Sequence, residues 1–213
     1  MIKPKFHHVN LKTTRLQEMI DWYGVVVGTK VNSQSNVIAF ISNDRTHHRI
    51  ALLAIPGLRD DLEKVVHTGI HHTPFEYDSF DDLMSSFARL KQLGIEPEFC
   101  VNHGVATSLY YPDPDQNLVE LQMDNFGNWD ASAEWMRTSE DFRQNPLGAF
   151  SDPELVLAAY KAGATFEQLQ KDTYAGNIPL RNRQTSIFLR AGDFPTHSPN
   201  ENRPRSSRYY AHP

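Results

Sequence analysis

Three residues carry the strongest chemical signal in this 213-residue chain: His8, His72 and Glu120. A histidine alone on a strand is more often a hydrogen-bonded structural residue than a ligand. Here, however, two histidines recur at matching places in an internal repeat, and the acid interrupts an apolar run, Leu118-Val119-Glu120-Leu121. Two neutral imidazoles and one carboxylate on one face of a metal leave three coordination positions open, a set that suits non-haem Fe(II). Such an ion keeps a formal charge of about +1, so it attracts a catecholate and lowers the pKa of a bound hydroxyl.

The repeat supplies the elements that must position these ligands. "FHHVNLKTTRLQEMIDWYGVVVG" overlays "IHHTPFEYDSFDDLMSSFARLKQLG". Each copy opens with a short alternating segment and a His-His pair, passes through a polar turn, and continues as an amphipathic stretch ending in glycine. Leu83, Phe87, Leu90 and Leu93 recur at helical spacing. Asp78 or Ser79 is placed to cap that helix, and Asp81 and Asp82 suit its positive end. Three strand-like segments follow each helix: 29–32, 37–41 and 49–55 in the first copy, and 96–101, 107–111 and 118–123 in the second. The expected class is α+β, with two βαβββ modules over residues 1–125 forming a curled mixed sheet around a metal cleft. Strand alternation turns Val9, Leu11, Val119 and Leu121 toward the helices, and His8 and Glu120 toward the cleft. His7 and His71, of opposite parity, are read as ordinary strand residues.

With these motifs in place, the chain resembles the vicinal oxygen chelate superfamily, and within it the type I extradiol ring-cleaving dioxygenases. The resemblance rests on "HHVNL", "HHTPFEY", "DRTHHRIALLAIPG" and "NHGVATSLYYPDPDQNLVELQ" and covers about residues 5–124. It implies that His8, His72 and Glu120 hold Fe(II), and that Tyr110, ten residues before the Glu, hydrogen-bonds a bound substrate. It also implies that His48 is the acid–base histidine beside the O2 position, and that His103 stands behind Tyr110. His103 lies seven residues before Tyr110, closer than in the larger two-domain members. Gln116 replaces a usual glycine in the "DPDQN" turn, and the larger members' additional N-terminal module pair has no counterpart here. The superfamily's four-ligand isomerases take an acid from the last strand of the first module. "RIALLAIPG" has none, and Ala51 matches the Glu120 position.

Composition bounds the partners. A formal charge of −5 with no concentrated basic face argues against nucleic acid or a membrane surface. The one dense basic stretch, "NENRPRSSRYY", is read as a solvated tail. No apolar leader or spanning segment is read in the chain. Cys100 is the sole cysteine, which fits a reducing cytoplasm. Residues 126–213 are expected to form a C-terminal extension with a helix near 152–171, started by Ser151 or Asp152 with Pro153, then an irregular tail. His197 and His212 have no motif around them and are not assigned to metal.

The expected function is therefore an Fe(II)-dependent extradiol dioxygenase acting on a small aromatic diol with O2, as a homo-oligomer. Two alternatives stand beside it. A metal-dependent lyase or isomerase of the same superfamily would share the ligands but has less need of His48 with Tyr110. A metal-free drug-sequestering protein would have no reason to keep two histidines and a glutamate at ligand positions.

Overall fold

Leu16, Met19, Ile20, Tyr23 and Val26 recur every three or four residues and fold as helix α1 (Leu16–Val26), with Met19, Ile20, Tyr23 and Val26 buried. The computed structural model describes residues 2–178 and 180, all within one compact unit, Met1–Arg183. The expected irregular tail, its basic stretch, His197 and His212 lie outside the described residues. Helix α1 follows strand β1 (Val9–Lys12) and precedes β2 (Lys30–Gln34), β3 (Ile38–Ser42) and β4 (Ile50–Leu53). The second module repeats the order: β5 (His72–Glu76), α2 (Phe80–Gln92), β6 (Phe99–Asn102), β7 (Ala106–Pro112) and β8 (Leu118–Asp124). Ser79 caps α2, its hydroxyl accepting from the Asp82 amide at 3.1 Å, with Asp81 and Asp82 in the first turn and Arg89 and Lys91 in the last. No helix among the described residues is long and apolar enough to cross a membrane.

Each module forms its own sheet. The first runs β1-β4-β3-β2, with β1 and β4 parallel and the other pairs antiparallel. The second runs β5-β8-β7-β6 with β5 and β8 parallel, and gains a fifth strand, β9 (Ala149–Phe150), against β6. The parallel pairs follow from the helix, which carries the chain across its sheet before the last strand returns beside the first.

The duplicated modules give two mixed sheets, as the repeat implies, and their apolar helix faces meet. Tyr23 and Met19 of α1, Leu83, Phe87 and Leu90 of α2, and the helix-side residues Ile41, Leu52, Leu109, Val119 and Leu121 belong to one buried core. Each fully buried side chain of this size contributes about 1.5–3 kcal/mol. Polar links reinforce the joint. The Tyr23 hydroxyl donates to Asp113 at 3.1 Å, Arg89 donates to the Val25 carbonyl at 2.9 Å, and Arg15 pairs with Asp115 and Asp60. The opposite face of each sheet lies outside this core.

The expected helix near 152–171 is two helices, α5 (Pro153–Lys161) and α6 (Phe166–Tyr174). Gly163 breaks the run in the left-handed region at φ +100°, and Thr165 restarts it by accepting from the Gln168 amide. Before them stand α3 (Trp129–Thr138) and α4 (Glu140–Gln144), which sequence periodicity did not indicate. This extension grips the second sheet from behind. Asn102 donates to the Gln170 carbonyl at 2.8 Å and to Thr173 at 2.7 Å, and its own side-chain oxygen accepts from the Gly104 amide at 2.8 Å and from Asn125 at 3.1 Å. The β6–β7 turn that carries His103 is thus clamped on both sides.

Candidate metal centre

Glu120 sits mid-strand in β8 and is only 5% exposed. Its neighbours on the same face are Tyr110 across the β7 ladder and Pro74 on β5. Pro74 costs no ladder bond that an inner strand would need, because β5 is the sheet edge. The Tyr110 hydroxyl donates to Glu120 Oε1 at 2.7 Å, and His72 Nε2 lies 3.1 Å from Glu120 Oε2. Burial pushes the Glu120 carboxyl up, but the contacts from His72 and Tyr110 outweigh it and hold the group below its ordinary range. The carboxylate is therefore kept charged inside the protein.

Behind Tyr110, His103 Nε2 lies 2.9 Å from the phenol oxygen, and the backbone of Leu147 hydrogen-bonds the same ring. Burial lowers the His103 pKa, opposed by Glu120 and by the Leu147 contact. Burial and the neighbouring carboxylate raise the Tyr110 phenol far above its usual value, so it stays a donor. The Tyr110 ring stacks on Phe99 with centroids 4.5 Å apart. A continuous line of contacts thus runs from Leu147 through His103, Tyr110 and Glu120 to His72.

His48 and His8 lie together on the first sheet, ring centroids 4.3 Å apart, with Phe40 beside His48 at 4.9 Å. Strand parity alone would have set His48 on the opposite face to Ala51. The strand end resolves this: β4 begins at Ile50, so His48 lies before the regular alternation and turns to the face of Phe40. Burial, then the charges of His8, His47 and His7, lowers the His48 pKa, which keeps it a neutral base at physiological pH.

The arrangement has one further regularity. In each of the three His-His pairs the Nδ1 atoms meet: His7 with His8 at 3.1 Å, His47 with His48 at 2.6 Å, and His71 with His72 at 2.8 Å. His71 therefore engages one ring nitrogen of His72 while the other faces Glu120. A ligating histidine is commonly fixed in this way by a partner on its second nitrogen. Parity reasoning had passed over His71 and His7; the repeated His-His doublet was the signal for them.

Adjacent ligand atoms about 2.1 Å from an octahedral ion stand about 3 Å apart, and the 3.1 Å between His72 and Glu120 matches. His8 is not among their partners. Among the described residues, the one gathering of three potential ligands is His7, His8 and His48, with ligand atoms all within 4.8 Å and no carboxylate. The six predicted residues thus fall into two groups: His72, Glu120, Tyr110 and His103 on the second sheet, His8 and His48 on the first.

Comparison with known proteins agrees with this fold. The profile of the glyoxalase/bleomycin resistance protein/dioxygenase superfamily matches residues 5–121. Biphenyl-2,3-diol 1,2-dioxygenase 2 of Rhodococcus globerulus is 40% identical over 172 residues, covering 81% of this chain and 90% of that protein. Biphenyl-2,3-diol 1,2-dioxygenase 3 of the same organism is 35% identical over 189 residues, covering 89% and 97%. Among solved structures, lactoylglutathione lyase from Agrobacterium tumefaciens is 20% identical with a TM-score of 0.47, covering 57% of this chain and 94% of that one. With a superfamily profile over both modules and two relatives of this identity along nearly their whole length, the chain belongs to the glyoxalase/bleomycin resistance protein/dioxygenase superfamily, and within it to the extradiol ring-cleaving dioxygenases.

Proposed function

We propose that this chain binds Fe(II) through His8, His72 and Glu120 and cleaves a vicinal aromatic diol with O2 beside a hydroxyl-bearing carbon. The observation that carries the reading is the buried, ionised Glu120, paired with His72 and hydrogen-bonded by Tyr110. A buried carboxylate is costly to keep charged unless its partners need the charge. Bound iron would supply Lewis acidity toward the diol and a site for O2. The chain's own residues do the rest. Tyr110, held by His103, offers its hydroxyl to a substrate oxygen. His48 accepts the second diol proton at its free ring nitrogen and later returns it. Phe99, Phe40 and Leu118 line the site faces with apolar surface that suits an aromatic ring. A four-ligand isomerase centre is disfavoured because Ala51 stands on the site face of β4, opposite Phe40, where a fourth ligand would be needed. The natural setting fits the cytoplasm, since Cys100 is single and buried. We take residues 126–213 as an extension of the module pair 1–125, its described part bracing His103 from behind.

The test is anaerobic reconstitution with Fe(II), followed by a panel of vicinal diols under air. O2 uptake with a coloured ring-fission product is expected. No uptake with any diol, in protein shown to hold iron, refutes the reaction. His72→Ala and Glu120→Ala are each expected to lose iron; full retention in both refutes the site.

A further inference from the structure

Ser108 stands on the face that carries Tyr110 and Glu120, and the proposed reaction gives it no task. It lies on β7 two residues before Tyr110, so both side chains leave the same face of the strand. Its ladder neighbours there are Val101 on β6 and Gln122 on β8. The residue is fully buried, and its hydroxyl has no hydrogen-bond partner among the described residues. Buried hydroxyls without partners are costly, and native proteins keep few of them. We infer that Ser108 is a positioning residue: it takes over the Glu120 carboxylate when Tyr110 turns its hydroxyl to the bound diol.

A phenol has one O–H, so it donates one hydrogen bond at a time. Here that proton serves Glu120 Oε1 at 2.7 Å. In the proposed reaction the same hydroxyl goes to a substrate oxygen. Oε1 then loses its donor inside the protein, where an unpaired carboxylate oxygen is costly. The two histidines do not fill the gap. His103 Nε2 meets the phenol oxygen, and His72 meets the other carboxylate oxygen, Oε2.

Ser108 is placed to fill it. Glu120 lies directly opposite Tyr110 on the ladder, so Ser108 is its diagonal neighbour on the same face, a separation that a long side chain spans. Both partners already feel the hydroxyl. Burial pushes the Glu120 carboxyl up, and His72, Tyr110 and then Ser108 pull it down. Burial and Glu120 raise the Tyr110 phenol, and Ser108 pulls against them. A residue kept only for packing would do better as alanine here, because the hydroxyl is buried against no partner.

Melting of the metal-free protein tests the handover without relying on the reaction. In the parent, Tyr110 holds Glu120, so Ser108→Ala removes an unpaired hydroxyl and the melting temperature is expected to stay or rise. In Tyr110→Phe the phenol proton is gone and Ser108 recovers part of its work. Adding Ser108→Ala there is expected to lower the melting temperature by about 2–4 °C. Unequal effects in the two backgrounds measure the coupling of the pair. Ser108→Cys, close to serine in volume but a weak donor, is expected to show the same contrast.

Catechol binding by the iron-loaded protein, titrated without O2, is the second measurement, and it rests on the proposed function. Ser108→Ala is expected to weaken binding about 10- to 100-fold, the worth of one hydrogen bond to a charged group. Under air it should raise KM more than it lowers kcat, because the handover completes on binding. Equal melting shifts in the two Tyr110 backgrounds overturn the handover, as does unchanged catechol affinity in the iron-loaded variant. A parent that holds iron but neither binds catechol nor takes up O2 with any diol overturns the functional reading instead, and the metal-free melts then decide the handover alone.

Discussion

Tyr110→Phe isolates one hydrogen bond without changing the packing. Phenylalanine keeps the ring against Phe99 and removes only the hydroxyl that donates to Glu120 at 2.7 Å and meets His103 at 2.9 Å. A hydrogen bond to a charged group contributes about 1.5–3 kcal/mol. No cavity term enters, and half-buried His103 can take a water in place of the phenol. In the metal-free protein the loss is therefore about 2–3 kcal/mol, which for a chain of this size is about 4–12 °C in melting temperature. The pH dependence gives a sign to check. Glu120 has its folded pKa depressed below its ordinary value of 4.5, so its contribution is complete above that value and lost as pH falls through the folded pKa. The gap between variant and parent should be widest near neutrality and close in acid. Thermal melts from pH 7 down to acid measure it. With iron restored, the variant should keep its metal, and turnover should fall by about 10²-fold or more if the hydroxyl takes part in proton handling. An unchanged melt at pH 7 together with unchanged turnover refutes the reasoning and leaves Tyr110 as a packing residue.

Three further outcomes are expected. Gly148→Ala should destabilise by at least about 1–2 kcal/mol, since Gly148 has φ +81° and a Cβ there would lie 2.0 Å from the Asn102 carbonyl oxygen; because the shift moves Leu147 off His103, turnover should fall as well, and a normal melt argues against the clamp. Gln116→Gly should raise stability by about 0.5–1 kcal/mol, because Gln116 holds φ +62° in the Asp113–Asn117 turn; a lower melting temperature contradicts this. Cys100 is fully buried with its thiol pushed up to about 12, mainly by burial, so it should resist thiol reagents at pH 8 and react only on unfolding.

Much of the module fold was legible because its signals are local. Leu83, Phe87 and Leu90 at helical spacing and Val119-Glu120-Leu121 in alternation each declare one element and one face, and the structure follows them. The strand ends were less legible. His48 could not be assigned a face from parity, because the regular strand starts two residues later. Strand β9 gave no periodic signal: it is two residues long and depends on Gly148 approaching the Asn102 carbonyl. Helix α3 was hidden for a different reason. Of its residues only Ser132 is buried, and Trp129 is 71% exposed, so no apolar stripe marks it. The relation between the two modules was not legible at all. Alternation tells which side chains share a face of one strand, whereas the sealing of both helix faces into one core depends on contacts such as Tyr23 with Asp113, ninety residues apart.

The late strand β9 also sets a timetable for synthesis. The first module has all four strands once Leu53 is made. The second must leave the outer edge of β6 unpaired from Asn102 until Phe150 emerges, about 2–10 s at ordinary translation rates. During that interval β6 offers open amides and carbonyls, with Phe99 and Val101 beside them, to any other extended chain nearby. Newborn copies on one messenger are close neighbours with the same open edge. The extension is thus a guard whose absence is felt already before folding is complete. A chain stopped after β8 should lose yield to aggregation during synthesis, besides losing the Leu147 contact that holds His103.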